Sequence, residues 1–183
     1  MSLQGAVEEH LRMIKRCDFE GIKVKTVEDL EKVVRLIIPG GESTVIAKLA
    51  KIYGLDREIV KKGREGLPIF GTCAGMILLA NKVVGDKQRR FNLIDIVVER
   101  NAFGRQIDSF EVDLKIEDFP GKPFKAVFIR APCIKKIGKG VKVLAEFKEK
   151  IVMARQKNIL VSSFHPELTE DLRVHKYFLS ENY

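Results

Sequence analysis

The feature that most restricts the fold is a repeated grammar of short apolar run, glycine-rich turn and helical pattern. Leu36-Ile37-Ile38 is an unbroken apolar run stopped by Pro39-Gly40-Gly41, after which Thr44 to Lys51 carries Ile46, Leu49 and Ala50 on one helical face. Ile69-Phe70-Gly71 leads in the same way through Thr72-Cys73-Ala74-Gly75 into a helical pattern from Met76. Upstream, Val7, Leu11 and Ile14 recur at helical spacing before Gly21 and the strand-like Ile22-Lys23-Val24. An unbroken apolar strand needs cover on both faces. Alternating units of this kind therefore predict an α/β fold, with a mostly parallel sheet between two helical layers.

The second half has a different pattern. Val112, Leu114 and Ile116 alternate with Glu111, Asp113 and Lys115, and further short apolar runs follow at Val127–Ile129, Val141–Phe147, Ile151–Ala154 and Ile159–Phe164. These read as antiparallel additions at one edge. A last helix is expected from Glu170, with Leu172, His175, Phe178 and Leu179 on one stripe.

At 183 residues the chain suffices for one full-sized core, so residues 1–183 are expected to form a single domain. Its 45% apolar and 32% charged content is that of a soluble globular protein. The longest apolar runs fall far short of the ~20 residues that a membrane span needs, so no membrane association is expected. Met1-Ser2-Leu3-Gln4-Gly5 has neither a basic lead nor an apolar core, so no signal peptide is read and the cytoplasm is expected. Cys17, Cys73 and Cys133 are odd in number and widely spaced, which fits neither a disulfide framework nor a paired metal motif. His10, His165 and His175 stand at no zinc spacing from them, so no metal site is read. The net charge of +8 raises the question of nucleic acid. Basic residues such as Lys61, Lys62, Arg90, Lys135 and Lys139 are scattered, however, and lack interleaved aromatics, so no nucleic-acid partner is expected.

The chemistry concentrates at the turns. In an open parallel sheet, ligands sit beyond the carboxyl ends of the strands, where both glycine-rich turns lie. A turn that presents a nucleophile must be sharp, and Gly71, Thr72, Ala74 and Gly75 give Cys73 the small neighbours this demands. At the first turn of a helix, free N–H groups favour the thiolate, which is the reactive form. The Ala74 N–H faces a developing oxyanion, and the Gly40-Gly41 loop offers a second donor. His165 emerges from another strand end, followed by Pro166 and Glu167. Residues two apart on an extended segment share a side, so Glu167 can orient His165 toward Cys73 in a nucleophile–base–acid triad. His10 and His175 lie within helical patterns and read as helix-surface or packing residues. Cys17 and Cys133, which lack such a turn, read as inert.

Gly71-Thr72-Cys73-Ala74-Gly75 together with Ser163-Phe164-His165-Pro166-Glu167 resembles the triad glutaminases, the class I glutamine amidotransferase-like domains. Narrower segments point further: I-I-P-G-G-E-S-T at 37–44, V-E-R-N-A-F-G-R-Q at 98–106, D-S-F-E at 108–111, F-I-R-A-P at 128–132 and F-H-P-E-L-T at 164–169. These resemble the glutaminase subunits of pyridoxal 5'-phosphate synthases, from about Leu3 to the end of the chain. The resemblance implies a flavodoxin-like three-layer α/β/α fold. It also implies hydrolysis of L-glutamine through a thioester on Cys73, with His165 moving protons and Glu167 orienting it. Gly41 and Ala74 would line the oxyanion hole. Gly41, Glu42, Ser43, Arg100, Ile129 and Arg130 would hold glutamine, whose carboxylate suits arginine and whose ammonium suits an acid or carbonyl. The chain would hold no cofactor. Its ammonia would pass to a separate (β/α)8-barrel synthase subunit in a large hetero-oligomer, because protonation in bulk water removes ammonia's nucleophilicity.

One departure accompanies the resemblance. Such domains begin with an apolar strand before L-Q-G, whereas only Met1-Ser2-Leu3 stands there in this sequence, so the first strand is expected to be incomplete and its neighbours short of partners. Two other functions are compatible with the fold: the glutaminase of a different amidotransferase, and a binding module without catalysis. The second is disfavoured by the intact Cys73, His165 and Glu167.

Overall fold

The computed structural model describes residues 1–86, 88, 90–103, 109–119 and 121–180. Helix α1 (Val7–Arg16) places Glu8 and Glu9 in its first turn and Lys15 and Arg16 in its last, matching the sign of the helix dipole at each end. A short α2 (Val27–Glu31) starts at a capping box in which Thr26 and Asp29 satisfy each other's backbone N–H groups. Strand β1 (Leu36–Ile38) leads into α3 (Ser43–Ile52) and α4 (Leu55–Arg64), then β2 (Ile69–Thr72) into α5 (Ala74–Leu79). Strands β3 (Ala80–Val83), β4 (Ile94–Glu99), β5 (Ser109–Leu114), β6 (Phe124–Ile129), β7 (Cys133–Ile137), β8 (Lys142–Phe147), β9 (Lys150–Gln156) and β10 (Ile159–Ser162) follow, before α6 (Arg173–Ser180).

The main sheet runs β1-β2-β10-β9-β7-β4-β3, with β8 added beside β9. β2 is parallel to both β1 and β10, in register Ile38 with Gly71 and Thr72 with Ser162. All residues of these three strands are buried, as their unbroken apolar runs require. Alternate residues feed two cores. Leu36, Ile38, Ile69, Ile159 and Val161 pack with Ile46, Leu55 and Ile59 on one face, while Ile37, Phe70 and Leu160 meet Val174 and Phe178 of α6 on the other. β9 runs antiparallel to β10, β7 and β8, and β7 runs antiparallel to β4. β5 and β6 are not edge strands of this sheet. Among the described residues they pair only with each other, as a separate antiparallel ribbon over the second core, through Phe110, Phe124 and Phe128.

The Met1 ammonium donates to Ile37 O (2.5 Å) and Ser2 N to Val24 O (2.7 Å), so these residues lie between the 22–24 segment and β1. Burial lowers the pKa of this ammonium to about 5. Residues 22–24 form no strand, because a single backbone bond cannot build a ladder. A cavity of about 390 Å3, walled by Val24, Ile37 and Phe178 among others, fills the remaining space. Among the described residues, no helix is long and apolar enough to cross a membrane.

Candidate active site

The three segments that carry the chemistry meet at the carboxyl ends of β1, β2 and β10. Between β2 and α5, Cys73 adopts φ 48°, ψ −99°, a backbone conformation that costs a non-glycine residue on the order of 1–3 kcal/mol. Its own N–H donates to Ser162 O on the neighbouring strand (2.8 Å), which fixes the turn to the sheet. The small residues around it are a steric necessity: a Cβ on Gly75 would stand 2.1 Å from Ile38 O. The sulfhydryl reaches toward Ile129 O at 3.9 Å, so the end of the β5–β6 ribbon overhangs it.

His165 follows β10, its N–H bonded to Val127 O of the ribbon (2.8 Å). Its Nδ1 lies 2.7 Å from Glu167 Oε1, and Glu167 is fully buried. The route differs from the extended segment expected from sequence, since Pro166–Leu168 forms a single 3-10 turn that swings Glu167 back under the ring. Thr169 secures this turn by donating to Pro166 O (3.1 Å) and accepting from Asp171 N (3.2 Å). Burial alone would lower the His165 pKa. Hydrogen bonds to Cys73 and Glu167, with their negative charges, outweigh it and raise the pKa to about 10. The site is thus organised for an imidazolium held between a sulfur and a carboxylate. Cys17 and Cys133 are buried, which raises the pKa of both thiols, as expected of inert cysteines.

The glycine loop is clamped from three directions. Gly40 N donates to Thr72 Oγ1 (3.0 Å), Gly40 O accepts from Ala6 N (3.1 Å), and Glu42 N donates to Gln4 Oε1 (2.8 Å). Gly40 also presses on the imidazole so closely that a Cβ there would lie 2.4 Å from His165 Cε1. A cavity of about 410 Å3 opens over Cys73, within the range for small-molecule sites, and is lined by Gly41, Glu42, Ser43, Ala74, Arg100, Ile129, Arg130 and His165. Every expected site residue except Glu167 therefore borders one space, and Glu167 lies directly behind it. Arg100 is fixed by Asp86 Oδ2 (2.7 Å) and Gln88 Oε1 (2.6 Å), and Gln88 in turn donates to Ser43 O (2.7 Å). Residues 104–108, part of two family-like segments, lie outside the described residues.

The sequence gives no sign of Gln4, Asp86 and Gln88, and marks Thr72 only as a small neighbour of Cys73, yet the side chains of all four brace the loop and the arginine. Of the two roles expected, helix surface or packing, the structure shows packing for His10 and His175. They prove to be buried and adjacent, with His10 Nδ1 3.0 Å from His175 Nε2. Among the described residues, no group of three or more His, Cys, Asp or Glu is placed to hold a metal ion.

A family model described as the SNO glutamine amidotransferase family matches residues 1–182. The chain belongs to that family. Relatives include the pyridoxal 5'-phosphate synthase subunit PdxT of Pelotomaculum thermopropionicum, 56% identical over 181 residues that span 99% of this chain and 92% of the relative. The PdxT of Pseudothermotoga lettingae is 56% identical over 180 residues, spanning 98% and 92%. A solved glutamine amidotransferase superimposes with a TM-score of 0.93 at 50% identity, covering 97% of this chain and 94% of that one. The structure of PurLQS from Thermotoga maritima, at 18% identity and TM-score 0.73 over 98% and 95% of the two chains, shares the fold. As a member of the SNO family, the chain carries Cys73, His165 and Glu167 on the architecture of that solved glutamine amidotransferase.

Proposed function

We propose that the chain is the glutaminase of a pyridoxal 5'-phosphate synthase, hydrolysing L-glutamine to L-glutamate and ammonia for a (β/α)8-barrel synthase subunit. The observation that carries this reading is the Cys73–His165–Glu167 line beneath a cavity sized for an amino acid, in a chain whose PdxT relatives match it almost end to end. The relatives' match over the whole chain also supports a single catalytic unit over residues 1–183. Three free cysteines suit a reducing compartment, which supports the cytoplasm.

In this mechanism the Cys73 sulfur attacks the side-chain amide carbon of glutamine. A C–S bond forms, and the carbonyl electron pair moves onto oxygen, facing the Ala74 N–H and the Gly41 loop. Collapse breaks the C–N bond while His165 donates its proton to the departing nitrogen, which leaves as ammonia. Water then adds to the thioester, His165 takes the water's proton, and the sulfur leaves as glutamate forms. Glu167 holds the imidazole in one tautomer and stabilises its charge throughout. Arg100 pairs with the substrate carboxylate and Glu42 with its ammonium, while Ser43, Ile129 and Arg130 close the pocket.

Ammonia is the useful product only while unprotonated, so a sealed path to the partner is the physical reason for coupling the two subunits. Ammonia release from glutamine, measured with and without the barrel subunit, tests the reading. Stimulation by the partner is expected, whereas absence of glutamate formation at any ratio of the two proteins would overturn it.

A further inference from the structure

Behind the triad lies a second line of polar groups that the mechanism above does not use. His10 of α1 is 3% exposed and His175 of α6 is fully buried. His10 Nδ1 stands 3.0 Å from His175 Nε2, and His10 Nε2 stands 3.2 Å from Thr72 Oγ1 and 3.4 Å from Glu167 Oε2. Thr72 Oγ1 is also the acceptor for Gly40 N at 3.0 Å. Glu167 Oε1 serves His165, whereas Oε2 is buried and makes no hydrogen bond among the described residues, with His10 Nε2 3.4 Å away as a donor within reach of it. One imidazole thus touches the triad acid, the residue before the nucleophile and, through it, the glycine loop.

The partners determine the tautomers. Burial pushes the pKa of both rings down, His175 to about 4 and His10 well below its ordinary value, so both are neutral. A neutral His175 with its proton on Nε2 donates to His10 Nδ1. That leaves the His10 proton on Nε2, aimed between Thr72 Oγ1 and Glu167 Oε2. The reverse tautomer would turn the His10 lone pair on the carboxylate, an unfavourable contact in a buried site.

We propose that His10 is a positioning residue for the reaction, a neutral donor that couples Glu167 to the Gly40-Gly41 loop through Thr72, with His175 setting its tautomer. This rests on the glutaminase reading and extends it, because one group then keeps the acid, the base and the oxyanion loop in mutual register. Hydrogen bonds to a buried carboxylate are among the stronger ones in a protein, and small displacements of catalytic groups are costly in rate.

The test uses the complex with the synthase subunit and compares His10→Gln, whose amide can donate from near the Nε2 position, with His10→Leu, which keeps bulk alone. In His10→Leu, kcat for glutamine is expected to fall on the order of tenfold to a hundredfold, with KM little changed. The alkaline limb of its pH–rate profile should move, because Glu167 Oε2 loses the polar group that stands 3.4 Å from it and its hold on the His165 proton changes. The groups facing His10 are His175, the Met1 ammonium, His165 and Glu167, so the double variant His10→Leu with His175→Phe should show the same limb as His10→Leu alone. His10→Gln should recover most of kcat. Should His10→Leu fail to fold, Thr72→Val against Thr72→Ser asks the same question at the other end of the bond, with the serine expected to recover activity.

Equal kcat and pH profile in the leucine and glutamine variants, at unchanged wild-type activity, would overturn the positioning role while leaving the glutaminase reading intact. A wild-type complex that releases no ammonia would overturn both.

Discussion

Cys73 and Ser162 belong to different strand–turn units, yet the amide of the first donates to the carbonyl of the second at 2.8 Å. The turn that bears Cys73 and the strand that leads into His165 are therefore one hydrogen-bonded object. The position of the sulfur relative to the imidazole is set by sheet registry, with loop flexibility contributing little.

Replacing Cys73 by alanine should reduce ammonia release to background and abolish covalent labelling by a glutamine-analogue electrophile, with the melting temperature close to wild type. Cys73→Gly should share the loss of activity but gain stability, by about 1 kcal/mol, because glycine adopts φ 48° without strain. Thermal unfolding of the two variants side by side separates the chemical effect from the conformational one.

Two glycines should respond differently to an added methyl group. Gly75→Ala places Cβ against the rigid Ile38 carbonyl, so loss of stability on the order of 3 kcal/mol or more is expected, read as poor soluble yield and a lowered unfolding midpoint. Gly40→Ala pushes on the His165 ring, so kcat should collapse by roughly a hundredfold, with the smaller stability loss of the two.

The pH dependence of stability should have two limbs of opposite origin. His10 and His175 have depressed pKa values, so their neutral burial stabilises fully above about 6.5 and this contribution is lost as pH falls toward 4, on the order of 3 kcal/mol for His175. The His165 pKa is raised instead, so its contribution is complete below about 6.5 and is lost as pH climbs through about 10. Urea unfolding across this range, repeated on His175→Phe, should show a flattened acid limb in the variant.

Arg100→Ala should raise KM for glutamine by roughly tenfold to a hundredfold with a smaller effect on kcat, since it removes a charged partner for the substrate carboxylate. Asp86→Ala should act in the same direction more weakly, because Asp86 holds the guanidinium at 2.7 Å without facing the cavity itself. Steady-state kinetics of both variants checks the ordering.

Much of this site was legible in the sequence because its chemistry sits at strand ends that announce themselves. Unbroken apolar runs at Leu36–Ile38 and Ile69–Phe70 followed by glycines mark where backbones turn sharply, and a cysteine or histidine placed there has few structural reasons to be present. The residues that brace the site carry no such mark. Thr72 is an ordinary strand residue until Gly40 is known to lie beside it, and His10 and His175 meet across 165 positions of sequence. Periodicity places each on a helix face but cannot say that the two faces share a core. Helix α4 was missed for a related reason: Leu55, Ile59 and Gly63 are buried among lysines and arginines whose charge dominates the local pattern. The β5–β6 ribbon was recognised as strands and assigned to the wrong sheet, because alternation reveals a half-covered strand and says nothing about its neighbour.

That ribbon has a consequence for how such a site can change. Ile129 and Arg130 reach the cavity from a two-stranded piece that, among the described residues, shares no backbone ladder with the sheet bearing Cys73 and His165. The ribbon meets that sheet through His165 N–H to Val127 O, the contact of Cys73 with Ile129 O, and side-chain packing such as that of Phe128 on Phe147 and Phe164. Selection can redecorate the ribbon to admit a different substrate or receive a different partner, while the strands that lead into Cys73 and His165 keep their own backbone ladder.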